Sequence, residues 1–337
     1  MFPRRRYRVA ILGATGAVGG ELLKELDLRR FPTSEVRALC SPASAGSDVR
    51  HGKRKLITAA AVAEQFAGVE LVFSAVDAEV AAQWLPVARA AGAVCIDCSD
   101  WGRSQEDVPL VIPELNPERL AHQDGLISSP SPATTVAALA LAPLKNLGGG
   151  IVDVVMTTLE PASGAGAKGQ SELSGQAVAL LNFAPVEVDV HPARLAFNCI
   201  PQVGAIDESG HSAAERTIET DLARLLGVKA YATCVRVPVF VGTTVSLTVR
   251  LHTAVEAAAV DAALDAAPGI TVVREGVPPY PMVMDMNERE GVQVGRVRVD
   301  GPIVRLWLVG DNLRKGAATN MVQIAELLDA VWSVAQA

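Results

Sequence analysis

The segment Arg8-Val9-Ala10-Ile11-Leu12 runs without a spacer into Gly13-Ala14-Thr15-Gly16-Ala17-Val18-Gly19-Gly20, and a helical pattern follows from Glu21 to Leu28. The apolar run is continuous rather than alternating, so both faces of this strand are buried, as in a parallel sheet covered by helices on each side. Strand, glycine turn and helix in that order give a glycine motif the context of a dinucleotide site. Glycines let the backbone approach a pyrophosphate, and the first helical amides and the helix dipole receive its charge. Gly13, Thr15, Gly16, Ala17 and Val18 are the candidate cofactor contacts. A tight turn with no ligand is the alternative reading.

The pattern continues with strands at Glu35–Cys40, Val69–Ala75 and Ala93–Cys98 and a helix at Val80–Ala91. Strand and helix alternate, which predicts an α/β fold of the Rossmann type with a doubly wound parallel sheet. The second strand ends at Cys40, and Ser41 follows it where an acidic residue would favour NAD by binding the ribose 2′-hydroxyl. From Ile151 the character changes: Val152–Leu159 and the stretch Thr233–Leu251 read as long strands of a more open sheet. A chain of 337 residues, half of them apolar, has material for two domains.

A formal charge of −7 argues against nucleic acid and anionic membrane as partners, and Arg4-Arg5-Arg6 is too short to reverse that. No apolar run reaches the length of a membrane span, and Val9–Leu12 is too short for the core of a signal peptide, so a cytoplasmic location is expected. Cys40, Cys95, Cys98, Cys199 and Cys234 are odd in number and mostly lie in apolar runs, which reads as reduced, buried thiols. Cys95 and Cys98 fall on opposite faces of a strand, and no second pair completes a zinc site, so no metal is expected. His51, His122, His191, His211 and His252 read as surface or packing residues.

The stretch Leu126–Val136, with Pro109–Asn116 before it, resembles the active-site segment of the aspartate-semialdehyde dehydrogenases, whose turn reads Asn-Pro-Asn-Cys-Ser-Thr. Aligning Pro130 and Thr134 with that turn puts Pro132 on the nucleophilic cysteine. The resemblance extends to Ser41–Gly46, where Ser41 and Ser44 would contact the cofactor and Ala43 replaces the arginine that holds the NADP 2′-phosphate. Arg50, Lys53 and Arg54 are candidate substitutes. Val76-Asp77-Ala78 stand where the family has small residues near the phosphates. Arg103 matches an arginine that grips phosphate, through a planar fork suited to it. Glu160–Gly169 matches a loop in which glutamine orients the substrate; here that position is Glu160, and Ser163 and Gly164 are implied cofactor contacts. Phe197–Gly204 also matches, while Ala214 and Thr217 replace a substrate-binding glutamate and lysine. In Arg236–Thr243 the arginine that clamps the substrate carboxylate survives as Arg236, and the catalytic histidine falls on Thr243. Val294–Asp300 and Leu306–Asn320 match closely and supply Asn312 as a further cofactor contact.

The resemblance implies a dinucleotide domain at 1–130, an α+β substrate and dimerisation domain with an open mixed sheet at 131–315, and a C-terminal segment, 316–337, packing back on the first domain. It also implies a homodimer and NADP, the latter weakened by Ala43. Family chemistry runs through a thioester, and proline has no heteroatom to form one. The expected protein is a catalytically degenerate relative that keeps the scaffold and weak nucleotide or phosphate binding. The alternative is an active NADP-dependent aspartate-semialdehyde dehydrogenase whose nucleophile has moved, with Cys98 or Cys199 as the thiol. A short-chain dehydrogenase is excluded, because Tyr7, Tyr231 and Tyr280 are followed at the required spacing by Ile11, Val235 and Met284 rather than lysine.

Overall fold

The computed structural model describes residues 5–286 and 290–334, so Arg4 of the arginine cluster and the last three residues lie outside the description. The chain divides into two compact units, one comprising 1–130 with 317–337 and the other 131–316.

The first unit contains β1 (Tyr7–Leu12), α1 (Ala17–Leu28), β2 (Thr33–Cys40), β3 (Asp48–His51), β4 (Arg54–Ile57), β5 (Ala59–Ala60), β6 (Leu71–Ser74), α2 (Ala78–Ala90), β7 (Val94–Asp97), α3 (Asp100–Arg103) and β8 (Leu126–Ser128). Six strands form a sheet in the order β5-β2-β1-β6-β7-β8, all parallel. The order reverses between β1 and β6, which makes this a Rossmann-type doubly wound sheet with its switch point beside the glycine turn. Residues of β1 alternate between two cores. Val9 and Ile11 pack with Leu22, Leu23 and Leu26 of α1 and with Met321, Ile324 and Leu328 of the C-terminal helix. Ala10 and Leu12 pack with Ala81, Leu85 and Ala88 of α2. Burying each of those leucines contributes about 1.5–3 kcal/mol, which explains the unbroken apolar run.

Helix α1 starts at Ala17, not at Glu21, so Gly19 and Gly20 belong to the helix and not to the turn. The reason is steric: a Cβ on Gly19 would lie 2.1 Å from the Gly13 carbonyl oxygen, so only glycine lets the helix seat this closely. The C-terminal helix begins at Thr319, after one wide turn over Arg314–Ala318.

The second unit contains α4 (Pro132–Leu141), β9 (Ile151–Glu160), α5 (Gly166–Leu181), α6 (Ala213–Leu226), β10 (Ala230–Arg236), β11 (Thr243–Leu251), α7 (Ala257–Ala266), β12 (Ile270–Val273), β13 (Val292–Asp300) and β14 (Ile303–Gly310). Its sheet is mixed, in the order β10-β9-β11-β14-β13-β12. Thr233–Leu251 is therefore two strands joined by a loop, and the loop after Glu160 is shorter than the sequence suggests because α5 starts at Gly166. Helix α4, nearly all buried, lies across β11, β14 and β13 and against α6. The opposite face is more open, with Val155 and Tyr231 about half exposed.

Candidate active site

In the second unit, four separated segments meet at one end of the sheet. Glu160 ends β9, Arg236 ends β10 directly beside it, and Thr243 opens β11. Thr243 Oγ1 donates to Glu160 Oε2 at 3.1 Å. The Arg236 guanidinium donates to the Pro161 carbonyl and presses on Gly164, where a side chain would overlap it. All three side chains are buried. Burial pushes the Glu160 carboxyl up, while the Arg236 charge, the nearby Thr158 hydroxyl and the Thr243 donor pull it back. Burial likewise pushes the Arg236 guanidinium down, and Glu160 opposes that shift. Each charge thus offsets part of the other's desolvation.

Asn312 ties the same loops together. Its Nδ2 donates to Ser163 Oγ at 2.9 Å, and its Oδ1 accepts from the Gly242 amide at 2.8 Å. Ser163 and Gly164 therefore lie beside Arg236 and Asn312, as one cluster. His191, read from the sequence as a surface or packing residue, is also buried and feels the Arg236 charge. Burial first, and Arg236 second, push its imidazole down, with Glu172 opposing. It lies in an irregular segment with no periodicity to mark it.

Pro132 is the first residue of α4. Ser131 caps the helix, accepting from the Thr134 amide at 3.2 Å and sharing a 2.7 Å hydroxyl contact with Thr134 Oγ1. Proline suits this position, since its fixed φ matches the helix and its missing N–H is one the helix leaves unpaired anyway. The ring packs against Gly316, where a Cβ would come within 2.7 Å of it.

In the first unit, Gly13 has φ +91° and its Cβ position would be 2.4 Å from the Ala75 carbonyl oxygen, so no other residue fits the turn. Thr15 and Gly16 are exposed, and the first turn of α1 at Ala17 and Val18 has neither a side-chain cap nor an acidic residue. This is a helix start open to an anion. Two features flank this turn: the Val76 side chain packs over Gly13, with exposed Asp77 following, and the turn Ser41–Ser44 carries an exposed Ala43. Ser41 and Ser44 face each other across 3.4 Å. Lys53 and Arg54 do not replace the missing arginine: they line a cleft with Arg6 and Arg30, at the amino ends of β1 and β2, whereas Ser41 follows the carboxyl end of β2. Arg103 donates to the carbonyls of Cys98 and Ser129 and pairs with Asp100. The Cys98 thiol donates to the Ser74 carbonyl at 3.3 Å, and burial pushes it up to about 12, so Cys98 is not a ready nucleophile at neutral pH. Cys199 is the only exposed thiol among the described residues. No group of three or more metal-ligating side chains occurs among the described residues, nor a helix long and apolar enough to cross a membrane.

A doubly wound sheet of the Rossmann type joined in one chain to a mixed-sheet unit with this cluster defines a two-part architecture. Residues 8–123 match the semialdehyde dehydrogenase NAD binding domain, and residues 141–315 match the semialdehyde dehydrogenase dimerisation domain. An aspartate-semialdehyde dehydrogenase from Synechocystis sp. is 37% identical over 328 residues, covering 95% of this chain and 97% of its own. The crystal structure of aspartate semialdehyde dehydrogenase II from Vibrio cholerae superposes with a TM-score of 0.91 at 36% identity, covering 96% of this chain and 98% of that one. A probable aspartate-semialdehyde dehydrogenase from Pseudomonas aeruginosa gives 0.88 at 38% identity, with the same coverage. The chain belongs to the aspartate-semialdehyde dehydrogenase family.

Proposed function

We propose that this chain is a catalytically degenerate member of its family, retaining the two-unit scaffold and a weakened NADP site but not the oxidoreductase step. The observation that carries the reading is Pro132 at the first position of α4. A thiolate there would gain from the helix dipole; proline supplies no nucleophile at all. The site lacks its proton handler as well, because Thr243 is a neutral hydroxyl already given to Glu160. Bound NADP would supply hydride acceptance. The turn at Gly13–Val18 fits its pyrophosphate, with Ser41, Ser44, Ser163, Gly164 and Asn312 as further contacts, while Ala43 leaves the 2′-phosphate without its cation. Arg103 and Arg236 are the retained phosphate and carboxylate groups, each partly committed within the protein. We further propose a homodimer formed through the open face of the second sheet, and a cytoplasmic location without nucleic acid or membrane partners. Gel filtration showing only monomer would remove the dimer.

The test of catalysis is the purified protein with aspartate semialdehyde, phosphate and NADP, followed by reduced cofactor. The expected rate is roughly 10⁶ below that of an ordinary family member, as for loss of a nucleophile. Turnover within about two orders of magnitude of such a member would favour the active reading, with Cys199 as the exposed thiol.

A further inference from the structure

In the first unit, a cleft of about 490 Å³ is lined by Arg6, Arg30, Lys53 and Arg54, with His51 and the single carboxylate of Asp27. Three chain segments bring them together. Arg6 immediately precedes β1 and is held by a 3.0 Å bond from its Nε to the Thr33 carbonyl. Arg30 occupies the left-handed turn between α1 and β2, with φ +52°. Lys53 and Arg54 sit at the tip of the β3–β4 hairpin, where Gly52 packs so tightly on the Asp27 carboxylate that a Cβ would come within 2.3 Å of it.

None of these four cations has an acidic partner among the described residues, although acids are paired with their neighbours. Arg29 pairs with Glu326, Arg37 with Glu35 and Lys55 with Asp48, whereas Arg6, Arg30, Lys53 and Arg54 form no ion pair among the described residues. Arg29 and Lys55 are the immediate chain neighbours of Arg30 and Arg54, so proximity to acids is not lacking along the chain. Four exposed, unpaired cations around one carboxylate leave a local positive potential that a bound anion would lower, in a chain whose formal charge is −7. The volume lies within the ordinary range for small-molecule sites, roughly 300–1,000 Å³. Three guanidinium forks and an ammonium match closely spaced phosphate oxygens better than a single carboxylate.

We propose that this cleft binds a small polyphosphate anion of the di- or triphosphate class, at a site separate from the dinucleotide turn. The separation follows from the fold. Arg6 and Thr33 lie at the amino ends of β1 and β2, and Gly13 and Ser41 follow their carboxyl ends, about 20 Å away along the strands.

The test is calorimetric titration of the full chain with inorganic tripolyphosphate at low salt, for the native protein, Lys53→Gln/Arg54→Gln, and Gly16→Asp, which puts a carboxylate into the dinucleotide turn. The native protein is expected to show a saturable site below about 100 µM, tighter than any binding at the weakened dinucleotide turn, that weakens at least about tenfold toward 0.3 M salt. The hairpin double variant is expected to weaken binding about tenfold or more, with the Gly16 variant unchanged. Arg30→Gln, on a different segment, gives the same reading should the hairpin variant unfold. No saturable binding, binding unaffected by Lys53→Gln/Arg54→Gln or Arg30→Gln, or binding lost in Gly16→Asp would overturn the proposal.

Discussion

Replacing Pro132 with cysteine asks whether the scaffold still activates a thiol where family chemistry would need one. The position opens a ten-residue helix that is buried along its length, capped by Ser131 and free of acidic residues in its first turn. A partly buried charge at such a terminus gains up to about 2 kcal/mol from the helix dipole. That is about a thirtyfold rise in the thiolate-to-thiol ratio. The backbone cost is small, about 0.4–1 kcal/mol for losing the rigid ring, because the Ser131 cap is untouched. The assay is iodoacetamide alkylation across pH 6–9, read by peptide mass spectrometry, with exposed Cys199 in the same molecule as reference. At pH 7 the introduced thiol should react about an order of magnitude faster than Cys199. Dehydrogenase turnover should nonetheless stay about 10²–10⁴ below an ordinary member, because Thr243 cannot shuttle protons, and should rise when Thr243→His is added. The reasoning fails if the introduced thiol reacts no faster than Cys199, or if Thr243→His adds nothing.

Three further outcomes follow from the site. Burial raises the Glu160 carboxyl, so the folded state holds its proton more tightly than the unfolded chain; the stability this gives is complete below the ordinary carboxylate range and lost as pH rises through the folded-state value. Glu160→Gln should therefore gain on the native protein in urea denaturation as pH is raised from 4 to 8, and parallel curves would contradict this. Asn312→Ala strands the Gly242 amide and the Ser163 hydroxyl, costing about 2–4 kcal/mol in the same assay; a loss under about 1 kcal/mol would mean that water replaces the amide. Ala43→Arg should tighten NADP about tenfold and leave NAD unchanged, as measured by fluorescence titration; equal tightening of both would place the new arginine away from the 2′-phosphate.

The Rossmann sheet was legible because its signal is local: an apolar strand, a glycine turn and a helix within the first 28 residues. Its detail was less so. Gly19 and Gly20 read as turn residues, yet both lie in α1, with Gly19 so close to Gly13 that no side chain fits there. The cluster at Glu160, Ser163, Arg236, Thr243 and Asn312 spans some 150 residues of chain, and only the family resemblance named its members together. The burial of His191 beside the Arg236 charge left no trace in spacing or composition. Lys53 and Arg54 look interchangeable with any basic pair in the sequence; the direction of the β3–β4 hairpin sends them to the opposite end of the strands from Ser41.

Loss of covalent chemistry is tested most directly by intact-mass spectrometry of the native protein after incubation with aspartate semialdehyde and NADP, phosphate being omitted so that an acyl intermediate would accumulate. The expected result is an unmodified mass and no burst of reduced cofactor. A stoichiometric burst with an acyl adduct on Cys199, Cys98 or any other residue would contradict it.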